Sequence, residues 1–476
     1  MNDSDRVRLS KDTQYETDIT DLAVGGKGIA RISGKIVFVE KALPGQRVSI
    51  QVYKDRKDYA EARVVEVIVN SPLYTEPLCP HFTFCGGCSV QNMSYADQIK
   101  YKKQWIEESL LKIGKLHDVK VCDTVASPET MFYRNKMEFS FSQKVLDPET
   151  RKIQSGSHGL GLHLPGRYDT VLNIEKCVLQ SEKSQNIVNF VREFAQKSTF
   201  SAYDIQKQNG FWRYLIIREG KADGSTLVNI ITASSPENGH TLIDELSTEL
   251  LDKVGDITAV LHAEYSGKSQ AANWDRIRTV YGKNYIEETI GSALFRIESR
   301  TFFQTNTQQV GNLYGLVKKY GAFNGSETVY DLYSGIGTIP VFLSGSVKKV
   351  VGFELDPSSV ESARENVKRN GIKNCHFMQG KVRSLIKYPN TLFKKYGRPH
   401  AVITDPPRSG MDAKTIERVI RLGAQKVIYV SCNPSTLARD LSLLSERYRI
   451  VEVTPVDMFP HTSHIESVVL LVREDT

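Results

Sequence analysis

Two residues near the C-terminal end of the chain have the types that covalent catalysis needs. Cys432 follows the apolar run 427–430 and precedes Asn433-Pro434, so its thiol falls at the end of an expected strand. A free cysteine is most often a buried and inert apolar residue. A thiol at a strand end, facing a cleft, is instead placed to act as a nucleophile. Glu466, in Pro460-His461-Thr462-Ser463-His464-Ile465-Glu466, brings a carboxylate able to accept a proton. A third motif, Thr404-Asp405-Pro406-Pro407-Arg408-Ser409-Gly410, offers Asp405 for hydrogen bonding on a loop stiffened by two prolines. His461 and His464 lie three apart, but no helix or acidic third ligand accompanies them. They read as loop-stabilising residues, not metal ligands.

A second group of thiols lies far upstream. Cys79, Cys85 and Cys88 form C-x5-C-x2-C, and Cys177 stands in Ile174-Glu175-Lys176-Cys177-Val178. The chain has 7 cysteines, an odd number thinly spread, which does not describe a disulfide framework. Four thiolates could hold zinc or an iron–sulfur cluster, and the spacing does not choose between them. Cys122 and Cys375 read as ordinary small apolar residues.

The segment Asp331-Leu332-Tyr333-Ser334-Gly335-Ile336-Gly337-Thr338 puts an acidic residue and two glycines just after an expected strand. Glycines let a backbone turn tightly and approach a ligand closely. No third glycine completes G-x-G-x-x-G, so a pyrophosphate cradle fits less well than a site for a non-phosphorylated nucleoside. Glu354 ends the next expected strand, where a carboxylate can accept from both ribose hydroxyls. Asp331, Gly335, Gly337 and Glu354 together resemble S-adenosylmethionine-dependent methyltransferases. In such an enzyme a thiolate has a use: added at carbon 6 of uracil, it makes carbon 5 nucleophilic, and a base, here Glu466, must then remove the carbon 5 proton. Asp405 would hold the pyrimidine edge. Arg408 stands where amine methyltransferases usually carry an aromatic after Pro-Pro, which favours carbon chemistry.

The elements that must position these residues divide the chain in three. Residues 6–69 alternate apolar and polar positions between glycine turns (Gly25-Gly26, Pro44-Gly45), as in a small OB-like barrel. After the Pro-rich stretch 72–80 and the cysteines, Ile99, Trp105, Ile106, Leu110 and Ile113 recur at helical spacing, with Gly114 as the stop. Residues 121–290 alternate short β-like runs with polar loops, one helical segment near 181–198 and a glycine-rich hairpin loop around 154–168. From about 291, strands (329–332, 350–353, 401–404, 426–430) alternate with helices (357–370, 412–422), which predicts a doubly wound α/β domain with its ligands beyond the strand ends.

Composition sets outer limits. With 476 residues, 40% hydrophobic and 25% charged, the chain is a multidomain globular protein rather than a disordered or collagen-like one. Lys and Arg number 62 against 55 Asp and Glu, a net charge of +7 that permits a nucleic-acid partner without requiring one. The polar N-terminus gives no signal peptide and no apolar run is long enough to span a membrane, so a cytoplasmic location is expected.

The stretches CGGCSVQNMSYADQIKYK, FYRNKMEFSF, FFQTN, DLYSGIGT, GFELDP, DPPRSG, SCNPSTLARD and HIESVVLL resemble, over nearly the whole chain, the bacterial (uracil-5-)-methyltransferases that modify 23S rRNA and tRNA. The resemblance implies an α/β fold: a doubly wound Rossmann-like methyltransferase domain (291–476), an N-terminal OB-like β-barrel of TRAM type (1–70) and a β-rich central domain (71–290). It implies Cys432 as nucleophile, Glu466 as proton acceptor, and Gln304, Tyr333, Glu354 and Asp405 lining the pocket for S-adenosylmethionine and uracil, beside Asp331, Gly335 and Gly337. Ser334 replaces a cysteine common in this loop. Thr338 and Lys381 stand where some members use asparagine, so those contacts are not carried over. It also favours a [4Fe-4S] cluster on Cys79, Cys85, Cys88 and Cys177. The expected partner is 23S rRNA, with tRNA as the alternative, bound by a monomer away from membranes. Arg134, Lys136 and the barrel would contact RNA whose target base is flipped out.

Overall fold

The computed structural model describes residues 8–11, 13–234, 238–269 and 272–474. The N-terminal residues 1–7 and 12, part of the segment on which the signal-peptide expectation rests, lie outside them. Among the described residues no helix is long and apolar enough to cross a membrane.

Six strands, β1 (Gln14–Asp18), β2 (Asp21–Leu22), β3 (Gly28–Ile32), β4 (Lys35–Glu40), β5 (Arg47–Asp55) and β6 (Tyr59–Val69), form one sheet in the order 1-5-6-4-3-2. Period-2 burial along β4 turns Val37 and Val39 into the core of this unit. Helix α1 (Tyr95–Lys112) follows, capped by Ser94, whose side chain accepts from the amide of Asp97. It buries Trp105, Ile106 and Leu110 as the periodicity predicts. Ile113, expected on the same face, is 48% exposed, because the helix has already ended at Lys112.

The middle of the chain comprises β7 (Lys136–Leu146), β8 (Ile153–Leu164), β9 (Arg167–Asn173), α2 (Glu182–Lys197), β10 (Trp212–Glu219), β11 (Thr226–Thr232), α3 (Gly239–Val254), β12 (Ala259–Glu264) and β13 (Arg276–Gly282). Its sheet runs 13-12-11-10-7-8-9, and α2 and α3 cover one face over Phe139, Leu215, Val228 and Ile230. Two expectations change here. Gly156, Gly159 and Gly161 lie within strand β8 and only Gly166 falls in the turn to β9: a Cβ at Gly161 would overlap the Leu172 carbonyl of β9, so glycine is needed for close pairing. A second helix, α3, was not foreseen; its polar N-terminal turn hides the periodicity of Ile243, Leu246 and Leu250.

Next come the hairpin β14 (Tyr285–Ile290) and β15 (Ala293–Glu298), and then α4 (Thr307–Gly321). The expected boundary at 290/291 falls on the turn of this hairpin. Ile286, Ile290, Phe295 and Ile297 all pack into the C-terminal core, so both strands go with the last unit.

That unit contains β16 (Thr328–Leu332), α5 (Thr338–Leu343), β17 (Lys349–Glu354), α6 (Pro357–Arg369), β18 (Cys375–Gln379), α7 (Val382–Leu385), α8 (Pro389–Tyr396), β19 (Ala401–Thr404), α9 (Ala413–Leu422), β20 (Lys426–Ser431), α10 (Pro434–Leu444), β21 (Tyr448–Val456) and β22 (Glu466–Arg473). The sheet order is 18-17-16-19-20-22-21. β16 to β20 run parallel; β22 enters antiparallel to β20. This is the doubly wound fold, with its crevice between β16 and β19, where the strand order reverses. Helix α1 completes one face, its Ile106 and Leu110 sharing a core with Leu437, Leu441 and Val453.

Candidate active site

The antiparallel last strand explains how Cys432 and Glu466 meet. β20 and β22 pair in the register Ser431↔Ser467. Cys432 and Glu466 directly flank that last pair, at the edge where the parallel strands deliver their loops. Asn433 then caps α10, its side chain accepting from the amide of Ser435, so Cys432 stands just ahead of a helix N-terminus.

Asp405 leaves β19 at the same edge, and its loop is held from several sides. Asn433 Nδ2 and Thr436 Oγ1 donate to the Arg408 carbonyl at 3.0 and 3.1 Å. Arg439 Nη2 donates to the carbonyls of Ser409 and Met411. The buried carboxylate of Asp440 accepts from the amide of Met411 and from Tyr429 OH, both at 2.7 Å. Gly410, at φ 71°, has no room for a Cβ beside Arg439 and Asp440. The loop is pre-set.

Burial raises all three acidic groups of this pocket. Burial, then Glu466 and Asp405, push the Cys432 thiol up to about 11, against the pull of Arg408. Glu466 is held well above the usual carboxylate range by burial and by Asp405. Asp405 is pushed up to about 7 by burial. A thiol and two carboxyls buried in one pocket make it the candidate active site.

The glycine loop lies across the crevice. Tyr333 has φ 65°, and Gly335 and Gly337 have φ 51° and 79°. A Cβ at Gly337 would come within 2.8 Å of Phe377. The amide of Gly335 donates to Glu354 Oε2 at 2.9 Å, while Oε1 accepts from the amides of Leu355 and Asp356. Asp331 is buried, and neither carboxyl oxygen has a hydrogen-bond partner. Burial, Asp405 and Glu354 raise its pKa well above the ordinary value. The orphaned acceptor pair of Asp331 suits a ligand with donors of its own. Gln304 is buried in the loop before α4, where its carbonyl accepts from Asn135 Nδ2 at 2.9 Å. Among the described residues no hydrogen bond of its side chain joins it to the other site residues.

The four upstream thiols come together. Cys79, Cys85, Cys88 and Cys177, which are 89 residues apart from Cys88 to Cys177 in sequence, line one cavity of about 320 Å³. No three His, Cys, Asp or Glu among the described residues converge on a point fit for a single metal ion. Arg134, Lys136, Phe303 and Thr305 line the same cavity. The Lys136 ammonium is paired with Glu138, and burial lowers its pKa. Cys122 lies against Glu452 Oε2 at 3.6 Å, and Cys375 is buried, its thiol on the Pro340 carbonyl.

Several residues of the site escaped the sequence reading. The loop 457–465, which delivers Glu466, is bound almost residue by residue. Lys102 Nζ, fully buried, donates to Asp457 Oδ1 at 2.6 Å and to the Phe459 carbonyl at 3.0 Å. Gln98 accepts from the amide of His461 at 2.9 Å, and its Nε2 lies 3.2 Å from His461 Nδ1. Tyr133 OH donates to the Pro460 carbonyl. The amides of Ser89 and Val90, next to Cys88, donate to the His461 carbonyl at 3.1 and 3.2 Å. His464 packs on Arg408, 3.3 Å from its Nη2. A signal existed: Gln98 and Lys102 lie on the apolar stripe of α1, where polar side chains demand partners.

Comparisons with known proteins come from both ends of the chain. The sequence profile described as tRNA (Uracil-5-)-methyltransferase matches residues 252–474, and that of the TRAM domain matches residues 13–65. A protein of Porphyromonas gingivalis called an RNA methyltransferase is 36% identical over 467 residues, covering 96% of this chain and 99% of its own. One of Bacteroides thetaiotaomicron bearing the same designation is 36% identical over 454 residues, covering 94% and 99%. Among solved structures, the Pyrococcus abyssi tRNA (uracil-54, C5)-methyltransferase in complex with S-adenosyl-L-homocysteine superposes with a TM-score of 0.73 at 26% identity, over 96% of this chain and 99% of that one.

Proposed function

Because the chain belongs to the RNA (uracil-5-)-methyltransferase family and carries a TRAM domain, we propose that it methylates carbon 5 of a specific uridine in 23S rRNA through a covalent cysteine–uracil adduct. What carries this reading is that Cys432 and Glu466 directly flank the last paired residues, Ser431 and Ser467, and that Glu466 and Asp405 act on the Cys432 thiol.

Cys432 forms the bond to carbon 6 once its proton has left. Asp405, pushed up to about 7, can exchange that proton at neutral pH and holds the pyrimidine edge. Arg408 lowers the pKa of both Cys432 and Glu466, so it favours the anionic forms the reaction passes through. S-adenosylmethionine, when bound, supplies an electrophilic methyl group. Asp331, Tyr333, Gly335, Gly337, Glu354 and Gln304 would hold it; the unpartnered carboxyl of Asp331 fits that group. Glu466 then takes the carbon 5 proton, the carbon 6–sulfur bond breaks, and the thiol is restored.

Cys79, Cys85, Cys88 and Cys177 would hold a [4Fe-4S] cluster. Four thiols lining one cavity are a donor set that such a cluster can take. Protein purified without oxygen should contain iron and acid-labile sulfide in equal amounts; zinc without sulfide would contradict the assignment. Arg134 and Lys136, beside that cavity, are the proposed RNA contacts.

A specific observation favours a second substrate. The Pyrococcus abyssi protein of the same overall shape is a tRNA enzyme, so this architecture serves tRNA as well. Unmodified 23S rRNA and tRNA assayed side by side, with the methylated nucleotide mapped, separate the two. The rRNA reading predicts label in 23S rRNA only, lost in Cys432→Ala; label in tRNA alone would replace it.

A further inference from the structure

The central sheet has a second cavity that the methylation chemistry does not use. It lies between β7, the β8–β9 hairpin, the start of β10 and the loop 201–210, and measures about 130 Å³. Tyr168, Tyr203 and Tyr214 supply aromatic wall, and Tyr168 at its rim is 54% exposed.

At one side lies Arg213, only 2% exposed. Its guanidinium is stacked between the rings of Tyr203 and Tyr265, 4.1 and 4.5 Å from their centroids. Nη1 donates to the carbonyls of Tyr265 and Gly267 at 2.9 and 2.8 Å, and Nη2 to that of Ser269 at 3.3 Å. Nε alone has no partner. A buried charged group with an unmade hydrogen bond is costly unless a ligand's acceptor completes it. The opposite side is polar too. Lys144 pairs with Asp169 at 2.7 Å, and His163 holds the Thr170 carbonyl through Nδ1 at 3.3 Å. Asp169 and Asp204 disfavour a phosphate inside, yet a carboxylate can accept from ring or exocyclic N–H groups. Stacking faces with donors and acceptors at their edges describe a nucleobase.

The cavity also lies along a route from the catalytic cleft. β7 begins beside Asn135, whose side chain donates to the Gln304 carbonyl, and Lys136 opens the strand beside the cysteine cavity. Four residues later, Ser140 pairs with Tyr214 at the second cavity, about 13 Å along a strand. From these observations we propose that this cavity binds one unstacked base of the RNA substrate, distinct from the target uracil. The proposal rests on the chain's RNA substrate but not on the roles of Cys432 and Glu466.

The test uses the full-length protein and an RNA fragment carrying the uridine it methylates, with single abasic replacements at each other nucleotide. Fluorescence anisotropy measures the Kd of each fragment for the unaltered protein, for Tyr168→Ala, and for Ser140→Leu, which fills the cavity. Melting temperatures check that both variants fold. One abasic position should weaken the unaltered protein about tenfold or more. That penalty should vanish in either folded variant, while an abasic target uridine stays equally costly in all three. Penalties that persist in a folded variant, or no sensitive position, would overturn the proposal. In a second arm, AMP, GMP, CMP and UMP are titrated calorimetrically. Saturable binding of a free nucleotide that Tyr168→Ala abolishes, without any abasic effect, would replace the RNA base with a free nucleotide.

Discussion

With its thiol pushed up to about 11, Cys432 carries a proton at neutral pH, while burial and Asp405 hold Glu466 well above the usual carboxylate range. Cys432 must lose its proton before it attacks, so the rate should rise with pH. Below about 11 the thiolate fraction of Cys432 grows roughly tenfold per pH unit. Single-turnover methylation followed from pH 6 to 9 should therefore increase throughout, and a flat or falling profile would contradict this protonation scheme. Asp405 gives a separate signature. Its folded pKa of about 7 lies above the usual carboxylate value. Below about 4 both folded and unfolded states hold the proton and nothing is lost; between about 4 and 7 only the unfolded state ionises, and stability falls. Asp405→Asn removes that slope. Thermal melts should find it inactive yet more stable than the parent at pH 7–8, by roughly 1–4 kcal/mol, with no difference below pH 4. The strand-end positions of Cys432, Glu466, Asp405 and Glu354 were legible in the sequence, because each ends, begins or directly follows a strand in a short motif. Their mutual perturbation was not, since it arises from burial between strands that are far apart in the chain.

The loop 457–465 shows what a motif cannot carry. It holds no regular structure, so its shape comes from partners on α1, on the loop before α4 and beside Cys88. Lys102 with Asp457, Gln98 with His461, and the amides of Ser89 and Val90 fix the backbone that ends at Glu466. Gln98→Leu should then leave RNA affinity and adduct formation intact while slowing release of the adduct ten- to a hundred-fold, since small displacements of a catalytic group are costly. An SDS-stable protein–RNA species accumulating during turnover is the readout. If Gln98→Leu turns over without it, while Glu466→Gln accumulates it, the loop tether is not what positions the base. Strand and helix limits in the C-terminal unit were readable because strongly apolar strands alternate with amphipathic helices. The boundary expected at 290/291 splits the β14–β15 hairpin, because its alternating pattern says nothing about which core receives Ile286 and Phe295. The glycines of β8 misled for a related reason: composition signals a loop, but close pairing of strands demands the same residue.

As a whole, the molecule joins its parts through buried polar contacts rather than loose linkers. Trp105 of α1 donates to the Leu22 carbonyl of the N-terminal sheet at 2.9 Å, and Lys41 donates to the Cys85 carbonyl at 2.8 Å. The cysteine segment thus lies between the TRAM domain, the central sheet and the loop that carries Glu466. Cys85→Ala should lower the iron and labile-sulfide content and the melting temperature together; loss of neither would remove the cysteines from any cofactor role. Three units could be counted from the sequence, but their mutual clamping could not, because it depends on single residues such as Lys41 that no pattern marks. The central claim, that Cys432 attacks uracil while carbon 5 is methylated, is most directly tested with RNA carrying 5-fluorouridine at the target. Fluorine cannot leave carbon 5 as a proton does, so Glu466 cannot complete elimination and the adduct must persist. Mass spectrometry after incubation with S-adenosylmethionine should find the methylated fluorouracil nucleotide attached to the peptide containing Cys432. An unmodified Cys432 peptide, with RNA methylation proceeding or the nucleotide attached elsewhere, would contradict the mechanism.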